Sequence, residues 1–232
     1  MIFPKKSWKI VVPKILALDT STEACSAAIL VDGQIIERFA ELPRGHAACV
    51  LGMVQDVLAE AGLGVTDLDA ISFCRGPGAF TGVRIACGVV QGIAYGADLP
   101  VVPLSTLAVL AQGGWRAYRA EHVLAAIDAR MGEVYFGAYR AVDGLMRLQG
   151  EELVASPEAL PPAGGTGWYG IGTGWQAYGE QLRARLGAPQ AVYPALPRAA
   201  DCLPLAAAAL AGGEAVAAEQ ALPVYLRDKV TS

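Results

Sequence analysis

Apolar residues along this chain recur in two rhythms. Short, nearly continuous apolar runs read as buried strands, and longer stretches with a three-to-four-residue repeat read as helices packed on one face. The run ILALDT (residues 15–20) predicts a strand ending at Asp19. CSAAILVD and QIIERFAE flank Asp32-Gly33 and predict a hairpin, because that dipeptide accepts the left-handed backbone of a tight turn. HAACVLGMVQDVLAEAGL (46–63) predicts a helix with Val50, Met53, Val54, Val57, Leu58 and Ala61 on its apolar face and Gly62 as its stop. AISF (70–73) is a short buried strand, followed by a glycine-rich helix and a strand at VVPL. The order β-β-β-α-β-α-β fits a mixed sheet with helices packed against it, an α/β fold.

The same opening recurs in the second half. HVLAAIDAR predicts a strand ending at Asp128, EVYFGAYRAV its partner, and Asp143-Gly144 the next turn. The Asp-to-turn spacings, 13 and 15 residues, nearly match, which points to a duplicated unit with one aspartate facing a cleft from each side. Beyond Leu145 the pattern weakens. LPPAGGTG reads as a loop, WYGIG as a short strand, GWQAYGEQLRARLG as a helix ending at Gly187 and AADCLPLAAAALAGG as an alanine-rich helix containing Pro204. LPVYLRD closes the chain in extended form.

Composition narrows the function classes. With 54% hydrophobic and 17% charged residues, 232 residues can bury a sizeable core, and the mean hydropathy of +0.39 owes much to alanine. The longest apolar run, 85–97, contains three glycines and a glutamine and is shorter than the roughly 20 residues a membrane helix needs. A net charge of −4 makes the chain a poor sole binder of nucleic acid, since phosphate contacts need a basic patch. Five cysteines (25, 49, 74, 87, 202) with no CxxC spacing read as small buried thiols in a reducing compartment. MIFPKKSWKIVVPK, residues 1–14, lacks the unbroken apolar stretch of a signal peptide and reads as an extension.

The segment RGPGAFTGVRIACGVVQGIAYG carries two sets of glycines. Gly76, Gly78 and Gly82 stand at the helix entrance. There they would let an anion approach the unpaired N–H groups, with Thr81 adding a hydroxyl, or they meet a tight strand-to-helix turn. No Gly-Lys-Ser/Thr follows, and the spacing misses the dinucleotide fingerprint by one residue. Gly88, Gly92 and Gly96 lie inside the helix on one stripe. Each costs about 1 kcal/mol relative to alanine, so something must offset the loss. Close approach of another helix does so, either the 46–63 helix of the same chain or a helix of a second chain. Asp19, followed by Thr20, Ser21 and Thr22, is a candidate for metal or phosphate binding, or an ordinary strand end. His46 and His122 are isolated, and no nucleophile–histidine spacing appears.

ILALDTSTEACSAAIL, RGPGAFTGVRIACGVVQGIA, PVVPLSTL, IDARMGEVYF and PVYLRD together resemble the TsaB (YeaZ) family, accessory subunits of the bacterial machinery that makes threonylcarbamoyladenosine in tRNA. The resemblance runs from Ile15 to Arg227 and is loose over 147–200. It implies the fold of the actin, sugar-kinase and Hsp70 superfamily, two RNase H-like halves. The expected division is 15–107 with 205–232 as the first subdomain and 108–204 as a reduced second.

It further implies a cytoplasmic protein that pairs with the paralogue TsaD, which transfers threonylcarbamoyl from threonylcarbamoyl-AMP to N6 of the anticodon-adjacent adenosine. The ATPase TsaE would dock on the pair, tRNA would be held mainly by the partner, and the chain alone would form a homodimer. No cofactor is implied as firmly bound; ATP or ADP with magnesium is implied only in the assembled complex. At the positions of the paralogue's His-x-x-x-His metal motif this chain has Thr106 and Leu110, which cannot replace imidazoles, so no metal site and no catalytic residue are expected. The expected partner interface comprises His46, Val50, Met53, Val57, Arg84, Gly88, Gly92 and Gly96. The expected vestigial nucleotide cleft comprises Asp19, Thr20, Gly76, Gly78, Thr81, Gly82 and Asp128. The alternative is an ATP-dependent phosphotransferase using Asp19 and Asp128 around Mg²⁺. A metal-dependent peptidase would need ligands that the chain does not show.

Overall fold

A computed structural model describes residues 12–227, so residues 1–11 of the expected extension lie outside the described part. Strands β1 (Ile15–Asp19), β2 (Ala24–Val31), β3 (Gln34–Glu41), β4 (Ala70–Cys74) and β5 (Val101–Leu104) form one sheet in the order β3-β2-β1-β4-β5. Strands β6 (His122–Arg130), β7 (Glu133–Val142), β8 (Leu145–Ala155), β9 (Trp168–Ile171) and β10 (Val192–Tyr193) form the other, in the order β10-β9-β6-β7-β8. The two orders are the same topology. In each, three antiparallel strands are joined by hairpins, and the fourth and fifth add in parallel beside the first. The duplication read from the aspartate spacings is therefore real. Both hairpin turns adopt the same backbone, with positive φ at Asp32 and Gly33 and at Asp143 and Gly144.

The helices are α1 (His46–Ala61), α2 (Phe80–Ala97), α3 (Thr106–Tyr118), α4 (Thr173–Leu186) and α5 (Ala199–Ala211). Strand alternation sorts side chains into layers. From β1, Leu16 and Leu18 pack under α1 and α2, whereas Ile15 and Ala17 face α5. From β6, Val123, Ala125 and Ile127 face α3, whereas Leu124 and Ala126 pack with Trp175 and Leu182 of α4. Thus α3 crosses onto the second sheet and α5 returns to the first, and the two helices meet as a central layer. Ala199 to Leu203 already belong to the first-sheet core, so α5 stays whole with that half rather than dividing after residue 204.

Several elements depart from the sequence reading. The second half's opening strand runs past Asp128 to Arg130. Helix α3 and strand β8 were not expected. The place corresponding to α1, between β8 and β9, holds a short 3-10 turn, Pro157–Ala159.

The central layer is pinned by one bidentate ion pair. Arg116 Nε donates to Asp201 Oδ1 at 2.6 Å and its Nη2 to Oδ2 at 3.2 Å. Asp201 is buried, and burial pushes its carboxyl up while Arg116 pulls it back down. Removing Arg116 strands that carboxylate in the interior. We expect Arg116→Ala to lower stability by about 2–3 kcal/mol in urea titration, and the double change Arg116→Met, Asp201→Leu to recover most of the loss.

Candidate functional site

A cleft of about 1020 Å³ opens between the two halves, lined among others by Ser21, Thr81, Arg84, Asp128, Tyr225 and Arg227. Its floor is where the β1–β2 turn meets the start of α2. The first glycine set belongs to this junction. A Cβ on Gly82 would lie 2.0 Å from the Thr20 carbonyl oxygen, and one on Gly78 2.3 Å from that of Ser21. Gly76, at φ +110°, presses against the Val224 carbonyl. The Thr20 hydroxyl donates to the Gly82 carbonyl at 2.7 Å, and the Ala79 N–H donates to the Ser21 carbonyl at 2.7 Å. The chain's own backbone therefore lies where the glycines clear space, and close packing accounts for all three.

The duplicated aspartates are not equivalent. Asp128 lines the cleft, but its carboxylate is already engaged. Oδ1 accepts from the Arg130 N–H at 2.8 Å and the Tyr178 hydroxyl at 3.3 Å, and Oδ2 pairs with Arg130 Nη1 at 2.9 Å. Asp19 is fully buried behind the floor. Its Oδ1 accepts from the Ser21 N–H at 3.1 Å, and its Oδ2 has no hydrogen-bond partner among the described residues. Burial pushes its carboxyl up to about 6, more than the Ser21 hydrogen bonding pulls it down.

Among the described residues no three His, Cys, Asp or Glu side chains gather as metal ligands. Thr106 and Leu110 are buried, Leu110 in the core under the second sheet. The cysteines are free thiols, all buried except half-buried Cys49. His122 is half-buried, its Nδ1 beside the Thr166 carbonyl at 3.1 Å, and lies away from the cleft. No described helix is long and apolar enough to cross a membrane.

The second glycine set has the opposite surroundings. Gly88, Gly92 and Gly96 are exposed, and a Cβ on any of them would meet nothing within 4 Å. No described helix covers the stripe, so of the two neighbours considered from the sequence the 46–63 helix is excluded. Beside it α1 exposes Ala48, Leu51, Gly52 and Gln55, and α2 adds Tyr95, 82% exposed. Small residues and exposed apolar ones thus share the solvent face of α1 and α2.

Two expected interface residues do not reach it: Val50 and Val57 are fully buried under α1 as part of the first-sheet core. Met53 is half-buried against that core. His46 is half-buried at the start of α1, on the cleft wall. Arg84 is exposed, its guanidinium 3.2 Å from the centre of the Phe80 ring and 5.0 Å from that of Tyr225. Leu51, Gly52 and Tyr95, which the sequence reading does not single out, are exposed. They follow from the same helical repeat once the apolar stripe is assigned to the core and the remaining face to solvent.

The Escherichia coli K12 protein "tRNA threonylcarbamoyladenosine biosynthesis protein TsaB" is 46% identical over 225 residues, covering 94% of this chain and 96% of that protein. The chain belongs to the TsaB (YeaZ) family. A TsaB protein of Haemophilus influenzae is 42% identical and covers 94% of both chains. The solved structure of YeaZ from Pseudomonas aeruginosa superposes with a TM-score of 0.87 at 52% identity, over 92% of this chain and all of that one. A second, described as an uncharacterized protein with similarity to peptidase YEAZ from the same organism, gives 0.88. The family model "TsaD: tRNA N6-adenosine threonylcarbamoyltransferase" matches residues 40–168. With the duplicated sheets, these likenesses establish the TsaB fold of two halves expected of the actin-like superfamily.

Two outcomes follow from the floor of the cleft. Gly82→Ala is expected to destabilise by about 2–4 kcal/mol in thermal or urea unfolding, because its methyl meets backbone and not a mobile side chain. Asp19 holds its proton more tightly folded than unfolded, so the stability this contributes is complete below about pH 4 and is lost as pH rises through 6. Urea titrations from pH 4 to 7.5 should show Asp19→Asn gaining on the parent across that window, by on the order of 2–3 kcal/mol at its upper end.

Proposed function

We propose that this chain serves tRNA threonylcarbamoyladenosine biosynthesis as an accessory subunit, binding the TsaD paralogue through the exposed face of α1 and α2. Membership of the TsaB family supports the pathway. The match of the TsaD model to residues 40–168 supports a partner built on the same plan. Two copies of one fold offering similar helical faces can pair as a bundle, and the same face would join two copies of this chain when the paralogue is absent.

One observation carries the reading: three helical glycines at a combined cost of about 2–3 kcal/mol stand over empty space. Among the described residues nothing packs against the stripe to offset that cost. A partner helix lying against the stripe would offset it through close backbone contact and buried apolar area. In this reading the transfer of threonylcarbamoyl to adenosine N6 takes place on the partner, the partner holds most of the tRNA, and this subunit sets the partner's conformation. The acidic balance of the chain agrees with that division. The cleft favours it over the phosphotransferase alternative. Asp19 is walled off, Asp128 is held by Arg130 and Tyr178, and backbone fills the glycine turn.

Space over the stripe separates folding from docking. Gly92→Ala should raise the stability of the isolated subunit by up to about 1 kcal/mol, read as a higher Tm. Gly92→Leu or Gly88→Leu should leave the subunit folded by circular dichroism yet abolish co-purification with TsaD and the modification of tRNA in a reconstituted assay. Undiminished co-purification of either leucine variant would reject the interface.

A further inference from the structure

Residues 216–227 leave the glycine stripe uncovered, yet they make a continuous set of contacts across the molecule. Val216 bridges to Val101 at the edge of the first sheet. The Ala221 carbonyl accepts from Cys87 Sγ at 2.9 Å and Gln91 Nε2 at 3.1 Å, and Ala221 is fully buried. The Val224 N–H donates to the Arg75 carbonyl at 2.8 Å, and its own carbonyl is seated over Gly76, where no Cβ would fit. Tyr225 packs on Phe80, ring centres 5.7 Å apart. Every one of these anchors belongs to the first half.

Two residues later the chain touches the second half. Arg227 Nη2 donates to the Ala129 carbonyl at 3.3 Å and pairs with Glu133, and Nη1 lies 3.8 Å from Met131 Sδ. All three partners lie on the β6–β7 hairpin. With Val224 and Tyr225 fixed, the one intervening residue leaves the strap little slack.

Contacts between the halves are spread along their junction. The covalent crossovers into α3 and α5, with the Arg116–Asp201 pair, lie beside a second cavity of about 770 Å³ that is lined by Pro194, Arg198 and Asp201 but not by Arg227. Glu23 and Arg130 line both cavities and meet across the junction at 3.4 Å, but both side chains are largely exposed, which makes that pair weak. Arg227, at 21% side-chain exposure, is the better-buried ionic tie at the mouth of the larger cleft.

We infer that residues 216–227 are an interlobe strap, with Arg227 the pin that holds the cleft at its present aperture against a hinge formed by the α3 and α5 crossovers. This does not depend on the docking reading. Opening would be a rigid-body rotation of one half on the other, the motion available to two compact units joined by two crossings. Loss of Arg227 releases three contacts on one hairpin and leaves both cores intact.

Pulsed electron paramagnetic resonance between spin labels at Gln55→Cys on α1 and Glu180→Cys on α4, with Cys49→Ala in every sample and the labelled protein diluted in excess unlabelled protein so that only distances within one subunit are read, reports the aperture directly. Arg227→Ala should lengthen and broaden the distance distribution relative to the parent. The charge-reversed pair Arg227→Glu, Glu133→Arg should return toward the parent distribution, and Arg38→Ala, which breaks an ion pair within the first half, should not change it. A parent-like distribution in Arg227→Ala, or equal broadening in Arg38→Ala, would overturn the inference. Circular dichroism on the same samples establishes that they are folded. Should Arg227→Ala not fold, Arg227→Lys, which keeps the charge but not the forked donor, takes its place: a longer, broader distribution supports the strap and a parent-like one overturns it.

Discussion

The structure depends on one close approach, that of the first turn of α2 to the carbonyls of Thr20 and Ser21. No side chain fits there, so the helix settles directly onto the turn that follows β1. That contact fixes the height and rotation of α2 over the first sheet. Val83, Ala86, Val90 and Ala94 then face the core, and Gly88, Gly92 and Gly96 face outward. The two glycine sets lie on one segment and answer different needs. The first removes side chains so that the helix can sit on its own subunit, and the second leaves a bare strip on the opposite side. The second half repeats the first device. Gly172, ahead of α4, would place a Cβ 2.3 Å from the Ala126 carbonyl of β6.

Much of this architecture was legible from residues alone. Asp32-Gly33 and Asp143-Gly144 announced the two hairpins because few other residues accept consecutive left-handed backbone. Gly62 marked the end of α1 for the same reason, with φ +67°. Helix α3 escaped notice because Gln112, Gly113 and Gly114 interrupt its apolar repeat. Gln112 is nonetheless buried, its amide satisfied by the Gly144 carbonyl and the Met146 N–H. Those partners are distant in sequence, and nothing local reveals them. Strand β8 has no clean alternation, because much of it is exposed, Gly150 takes φ +83° and the pairing with β7 shifts register between Phe136 and Ala138. β10 has two residues and is a strand only by virtue of its neighbour.

The site was legible in part. The stripe at 88, 92 and 96 was visible as a cost without a recipient, but spacing could not say whether the recipient lay inside the chain. Only the empty space above each glycine excludes the internal helix. Val50 and Val57 show the converse limit. A helical repeat identifies an apolar face, and in α1 that face is needed by the core, leaving Leu51, Gly52 and Gln55 for the surface. The matched aspartates at 19 and 128 marked the duplication truly, yet burial of one and ion pairing of the other give them different chemistry.

Under the proposed function, a subunit whose cleft floor is filled by its own backbone, and whose α2 shows a bare strip to solvent, is completed by another chain. Side-chain oxidation footprinting with and without the TsaD paralogue tests that claim most directly, because Tyr95 and Leu51 are exposed reporters beside the strip at 82% and 49%. The account requires both to become protected on mixing, while exposed Leu148 of the second half keeps its reactivity. Tyr95 and Leu51 oxidised as readily in the complex as alone would contradict it.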